Sequence, residues 1–139
     1  MRKKLIKKCC KCGKPGFSIN SIYCRTCSHF SARMSNERFP PEIRQSLWND
    51  VIRRRGYFCH YTQVELDVFD YTNPYFLEFD HVVPHDPREV VIACSWVNTM
   101  KADMTKSEFR RSIKQLYNHM FKGIKIKKKK FRYWFRLNP

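Results

Sequence analysis

The sequence predicts an α+β fold built from an N-terminal four-cysteine zinc-ribbon module, a small strand–turn–strand–helix unit and flanking helices. Three observations predict it. Four of the seven cysteines fall into two C-x-x-C pairs near the N-terminus. The stretch from Leu77 to Asp103, LEFDHVVPHDPREVVIACSWVNTMKAD, holds two β-prone runs followed by a helix-prone segment. Apolar residues recur at helical spacing on both sides of that stretch. A chain of 139 residues has room for one core, or for one core plus a metal-stapled module. Apolar content of 42% and aromatic content of 15% mark it as folded rather than disordered.

Residues 1–36 form the first expected unit. Cys9, Cys10 and Cys12 precede a turn at Gly13-Lys14-Pro15-Gly16, and Cys24 and Cys27 follow. Two knuckles about a dozen residues apart can present four thiolates to Zn²⁺ in a tetrahedron. So short a segment buries too little apolar surface to fold alone, so the metal would hold it together. Cys9, Cys12, Cys24 and Cys27 make the simplest ligand set, although Cys10 could replace Cys9. His29 is a weaker ligand candidate. Thiolate pairs and an odd cysteine count fit a reducing, cytoplasmic setting better than a disulfide framework.

The central unit spans 37–123. Ser35 to Pro40 reads as a linker, and Pro41 suits the first turn of a helix. Ile43, Leu47, Val51, Trp48 and Ile52 supply that helix with an apolar stripe, and Gly56 is the expected stop. Arg53, Arg54 and Arg55 complement the helix dipole and can reach a phosphate backbone. Residues 57–76 read as a loop-rich connection with one short hairpin. An apolar strand run ends at Pro84, a second strand covers Val90 to Ile92, and Asn98 and Lys101 share one face of the next helix. Thr105-x-x-Glu108 is a capping box that opens a last helix with Phe109, Ile113, Leu116, Tyr117 and Met120 on its apolar face and Gly123 at its end.

Residues 124–139 form a basic, aromatic tail. Lys127, Lys128, Lys129 and Lys130 run without interruption, and Arg132 and Arg136 alternate with Phe131, Tyr133, Trp134 and Phe135. Such a segment neutralises phosphates and stacks on bases, or packs on the protein. The net charge of +16 is concentrated at the two ends. Residues 1–36 carry nine Lys or Arg and no acid, and residues 109–139 carry eleven and no acid. The middle holds eight bases against twelve acids. Basic arms around a mildly acidic centre point to a polyanionic partner. No apolar run approaches the ~18 residues a membrane span needs, and no apolar segment follows the first charges as a signal peptide requires.

The chemistry lies in Asp80, His81, Asn98 and Lys101. Phosphodiester hydrolysis needs a deprotonated water, charge stabilisation on the phosphoryl oxygens and help for the departing oxygen. An imidazole suits the first task and a divalent ion the other two. Hard cations favour oxygen donors such as Asp80 and Asn98. Adjacent strand residues point to opposite faces, so Asp80 and His81 act together only where the strand ends.

These residues are similar to the HNH endonucleases, whose ββα-metal (His-Me finger) core packs a hairpin and a helix around one divalent ion. The likeness runs from Arg55-Gly56-Tyr57-Phe58-Cys59 through Asp80-His81-Val82-Val83-Pro84 to Ala93-Cys94, Asn98 and Lys101, covering roughly residues 40–110. It implies Asp80 and Asn98 as ligands of a catalytic Mg²⁺ or Mn²⁺, a seat that Zn²⁺ or Ni²⁺ can also take. It implies His81 as general base and Lys101 as a cation on the scissile phosphate. Glu89 falls where the family has an asparagine that orients the base-bearing loop, and His85 or Asp86 could share that task. A carboxylate accepts hydrogen bonds but donates none unless protonated. Many members also hold a structural zinc with two further C-x-x-C pairs. Here Thr62 and Val97 replace the second cysteine of each pair, which leaves Cys59 and Cys94 as core thiols; His60 is read as a surface or core histidine. The expectation is a metal-dependent DNA endonuclease that cuts or nicks duplex DNA to 5′-phosphate and 3′-hydroxyl ends. A homodimer would suit double-strand cleavage of a palindrome. The rivals are a non-catalytic zinc-ribbon nucleic-acid-binding protein and an RNA-directed nuclease.

Overall fold

Leu77–His81 (β1) and Val90–Cys94 (β2) pair antiparallel, from Leu77 opposite Cys94 to His81 opposite Val90. In this computed structural model, residues 8–15 and 22–120 are described. Their helices are α1 (Arg25–Asn36), α2 (Pro41–Arg54), α3 (Ser95–Lys101) and α4 (Lys106–Met120). The described residues thus form a small α+β fold of four helices and one two-stranded sheet, with a four-cysteine cluster at its N-terminal end. β2 extends past the expected Ile92 because Leu77 and Glu78 provide partners for Cys94 and Ala93. The connecting loop closes through the Val82 N–H, which donates to the Glu89 carbonyl at 3.1 Å.

α2 buries Ile43, Leu47, Trp48 and Val51, whereas Ile52, expected in the stripe, is 43% exposed at its edge. The helix stops by a different device from the one expected. Arg55 takes the left-handed cap conformation at φ 54°, and the Gly56 N–H donates to the Val51 carbonyl. A Cβ at Gly56 would lie 2.9 Å from the Phe58 ring, so any larger residue there requires that ring to shift.

α1 corrects one expectation. The second cysteine pair is not a knuckle loop, because Cys24 caps α1 and Cys27 lies in its first turn. The helix then runs to Asn36, so the expected linker shortens to residues 37–40. Phe30, fully buried on α1, meets Trp48 at 5.1 Å and Tyr57 at 5.0 Å between ring centroids, both edge-on. The cysteine module therefore shares one core with α2 and the sheet. A side chain such as Phe30 contributes about 1.5–3 kcal/mol by burial, which ties the module to the rest.

Between α2 and β1 the chain makes the one hairpin anticipated there. Tyr57 and Leu66 close it, the Leu66 N–H donating to the Tyr57 carbonyl at 2.8 Å. The capping box forms as expected: the Thr105 N–H donates to Glu108 Oε2 at 2.7 Å and the Glu108 N–H to Thr105 Oγ1 at 3.3 Å. The apolar face of α4 is buried most fully in its early turns. Phe109 is buried and Ile113 packs on the core, while Leu116 and Met120 are 47% and 58% exposed. Gly123 and the tail with Lys127, Lys128, Lys129, Lys130 and Arg132 lie outside the described residues. Among the described residues no helix is long and apolar enough to cross a membrane.

Candidate metal centre and carboxylate site

The four-cysteine cluster is assembled by a tight turn and a helix start. The Cys9 N–H donates to the Lys14 carbonyl and the Gly13 N–H returns to the Cys9 carbonyl, each at 3.0 Å. Gly13 takes φ 74°, the left-handed conformation that the turn requires. This points Cys9 and Cys12 at Cys24 and Cys27, and the four sulfurs lie within 4.8 Å of one another. Cys12 and Cys24 are 3.5 Å apart. Tetrahedral zinc with Zn–S bonds of about 2.3 Å sets sulfurs about 3.8 Å apart, so four buried thiols at these distances could hold a zinc ion. Cys10 is exposed and outside the cluster, which decides the choice left open between it and Cys9. His29 is not part of the cluster; its ring lies 5.2 Å from that of Phe69.

Burial pushes the Cys9 thiol up, but hydrogen bonds from the Cys24, Cys12 and Lys11 backbone and from Cys27 outweigh it and bring the pKa down to about 6. That favours the thiolate a metal needs. Burial pushes the Cys27 thiol the other way, against the Tyr57 hydroxyl that donates to its sulfur at 3.0 Å.

The same frame recurs around Cys59 and Cys94. The Cys59 N–H donates to the Val64 carbonyl and the Gln63 N–H to the Cys59 carbonyl, each at 2.9 Å, and Gln63 takes φ 61°. Flanking bridges fall at matching places, Lys8 with Pro15 and Phe58 with Glu65. The Cys24 N–H donates to Cys9 Sγ at 3.3 Å, and the Cys94 N–H to Cys59 Sγ at 3.4 Å. Cys94 precedes α3 as Cys24 precedes α1, though only the Cys24 sulfur accepts a capping hydrogen bond, so Val97 stands where Cys27 does and Thr62 where Cys12 does. Cys59, Cys94 and Val97 are fully buried, with the two thiols 3.5 Å apart and Thr62 Oγ1 4.0 Å from Cys94 Sγ. The Cys94 thiol donates to Cys59, which lowers Cys59 to about 5 and raises Cys94.

This second frame adjoins the Asp80 carboxylate. β1, β2 and α3 follow one another along the chain, and α3 packs on both strands. Asp80 is 6% exposed and Lys101 1%. Lys101 Nζ lies 3.2 Å from Asp80 Oδ1 and donates to the His81 carbonyl at 3.0 Å. The Tyr61 hydroxyl donates to Asp80 Oδ2. Burial, and then the neighbouring Asp80 carboxylate, push the Tyr61 phenol well above its ordinary value, which keeps it a donor. Lys101 is thus held inside the protein as the partner of Asp80. Tyr61 has no counterpart among the residues singled out from the sequence; its one signal was its place in the Cys59–Thr62 turn.

β1 ends at His81, whose ring is half-buried. Asn98 lies on α3, also half-buried. No hydrogen bond to the His81 ring or the Asn98 carboxamide forms among the described residues. Glu89 is exposed and closes the loop through its carbonyl rather than its carboxylate. Asp86 grips Arg88, with Arg88 Nη2 at 2.6 Å, and His85 faces Asp103 at 3.8 Å on the surface. Of the arginine cluster, Arg53 and Arg54 bind Asp50 at 2.6 and 2.9 Å, and Arg54 also reaches Gln63, while Arg55 is exposed.

No family model, curated protein or solved structure matches this chain.

Proposed function

We propose that the chain is a metal-dependent nuclease of the HNH type acting on DNA, with a structural zinc at Cys9, Cys12, Cys24 and Cys27. The observation that carries the reading is the β1–β2–α3 succession, which sets a buried carboxylate, a histidine at a strand end and an asparagine on the following helix in one small unit. Asp80 and Asn98 offer the oxygen donors that Mg²⁺ or Mn²⁺ takes. Each Asp80 oxygen accepts one hydrogen bond and keeps a lone pair for an ion. Such an ion, when bound, would polarise the phosphoryl group and receive the leaving oxygen.

His81 takes the proton from the attacking water, at a ring left free of other hydrogen bonds among the described residues. Lys101 holds Asp80 in place rather than reaching the phosphate, since its ammonium is buried. Glu89 sets the loop that carries His81 through its backbone. The N-terminal and C-terminal basic arms and Arg55 bring the phosphate backbone in. A second reading, a zinc-bearing nucleic-acid-binding protein without catalysis, draws on the Asp80–Lys101 pair, because a carboxylate neutralised internally can also be purely structural.

Nicking of supercoiled plasmid with Mg²⁺ or Mn²⁺ separates the two. The nuclease reading expects metal-dependent nicking that His81→Ala abolishes while DNA binding is retained. Tight, salt-sensitive binding with no cleavage under any metal would favour the binding protein.

A further inference from the structure

We propose that Tyr61 is a positioning residue for Asp80, so that the Cys59–Val64 turn is part of the carboxylate site and not only a structural prop. The inference rests on the nuclease reading, in which Asp80 is a metal ligand. A buried carboxylate can rotate about its last torsion, which is broad and two-fold. Asp80 is fixed because its two oxygens are held from two different elements: Oδ1 by Lys101 of α3 and Oδ2 by the Tyr61 hydroxyl. Lys101 supplies the charge that makes burial of Asp80 tolerable. Tyr61 supplies direction.

Tyr61 is itself held firmly. The adjacent His60 N–H donates to the Ile92 carbonyl of β2 at 2.8 Å, and the turn closes through Cys59 and Gln63. Its ring meets Phe109 of α4 edge-on at 6.1 Å and His60 at 5.0 Å. The hydroxyl is therefore aimed by packing that does not depend on Asp80. Outer-shell donors of this kind set ligand orientation, and their loss typically costs about 10–100-fold in metal affinity.

The test is Mn²⁺ binding by the full zinc-loaded chain, followed by loss of the free-ion paramagnetic resonance signal, beside metal-dependent plasmid nicking. Tyr61→Phe removes only the hydroxyl and keeps both ring contacts. It is expected to raise the Mn²⁺ dissociation constant about tenfold or more, with a smaller change in the nicking rate at saturating metal. Phe109→Leu loosens the same packing without touching the hydroxyl; it should lower the thermal midpoint and leave Mn²⁺ affinity nearly unchanged. Equal losses of affinity in the two variants would mark Tyr61 as merely structural and overturn the proposal. So would unchanged Mn²⁺ affinity in a folded Tyr61→Phe chain while wild type binds the ion and nicks. A wild type that neither binds Mn²⁺ nor nicks would remove the nuclease reading itself, and this proposal with it.

Discussion

His60 shows how one half-buried side chain can set the acid stability of the fold. Burial lowers its pKa below the ordinary 6.5, and Lys106 and Arg54 lower it further. Lys106 Nζ stands 3.2 Å from its Nε2, the arrangement of an ammonium donating to a neutral ring. In the folded chain the ring stays neutral at a pH where the unfolded chain already takes a proton. The unfolded state then binds more protons, so stability falls as pH drops through about 6.5 and continues to fall until the lower folded pKa is reached. Urea unfolding between about pH 5 and pH 8 should show this slope in wild type and a flatter one in His60→Gln. Parallel slopes would assign the acid sensitivity to other groups. At this scale the place of Asp80 and His81 at the end of β1 could be read from the sequence, because the β-prone run closes there. Tyr61 could not, since its contact with Asp80 spans 19 residues and two elements. The burial of Lys101 was equally hidden, because helical spacing fixes which face a residue shares but not whether that face meets solvent.

Among the elements, the repeated turn-plus-helix frame shows what a pattern of residue types conveys and what it omits. The two C-x-x-C pairs marked the first frame clearly, yet they did not reveal that the second pair opens a helix. The second frame retains half its cysteines, and only the matching hydrogen bonds and left-handed residues establish that it has the same shape. Because the backbone geometry is kept, side chains alone separate it from a tetrathiolate site. Thr62→Cys combined with Val97→Cys is expected to raise the zinc content from about one to about two ions per chain, and to give a second tetrahedral thiolate spectrum with Co²⁺. Thr62→Cys alone, which leaves Val97 in the core, should give a weaker three-thiolate site. A folded double variant that still binds a single ion would show the second frame to be distorted beyond ligation. Strand boundaries were legible to within a few residues from β-branched runs. The end of α2 was not, because Arg55 accepts the left-handed cap that Gly56 seemed placed to supply.

For the whole molecule, the cysteine module and the sheet share one core. Phe30 and Met34 of α1 sit in the same core as Trp48, Tyr57 and Leu77, and the Tyr57 hydroxyl donates to Cys27. Metal affinity in such a site is folding free energy. Removing zinc with a chelator should therefore lower the thermal midpoint of the full chain by about 10 °C or more, in one transition rather than two. Release of zinc with an unchanged midpoint would make the module a passenger on an independent core. The uneven charge, with all twelve acids between Glu37 and Glu108, could be read from the sequence in full. The shared core could not, because each aromatic contact of Phe30 joins residues distant in the chain.

The Asp80 clamp also makes the hairpin depend on its neighbours. The β1–β2 hairpin is local and can form early, within about 1–10 μs. On its own it would draw a carboxylate toward the core with no cation to meet it, a costly state. Lys101 arrives only when α3 winds and docks, and Tyr61 only when the preceding turn lies against β2. The hairpin is therefore less stable without its neighbours than with them. The carboxylate is matched only when both neighbours have closed on it, so the clamp favours the hairpin, α3 and the turn holding together.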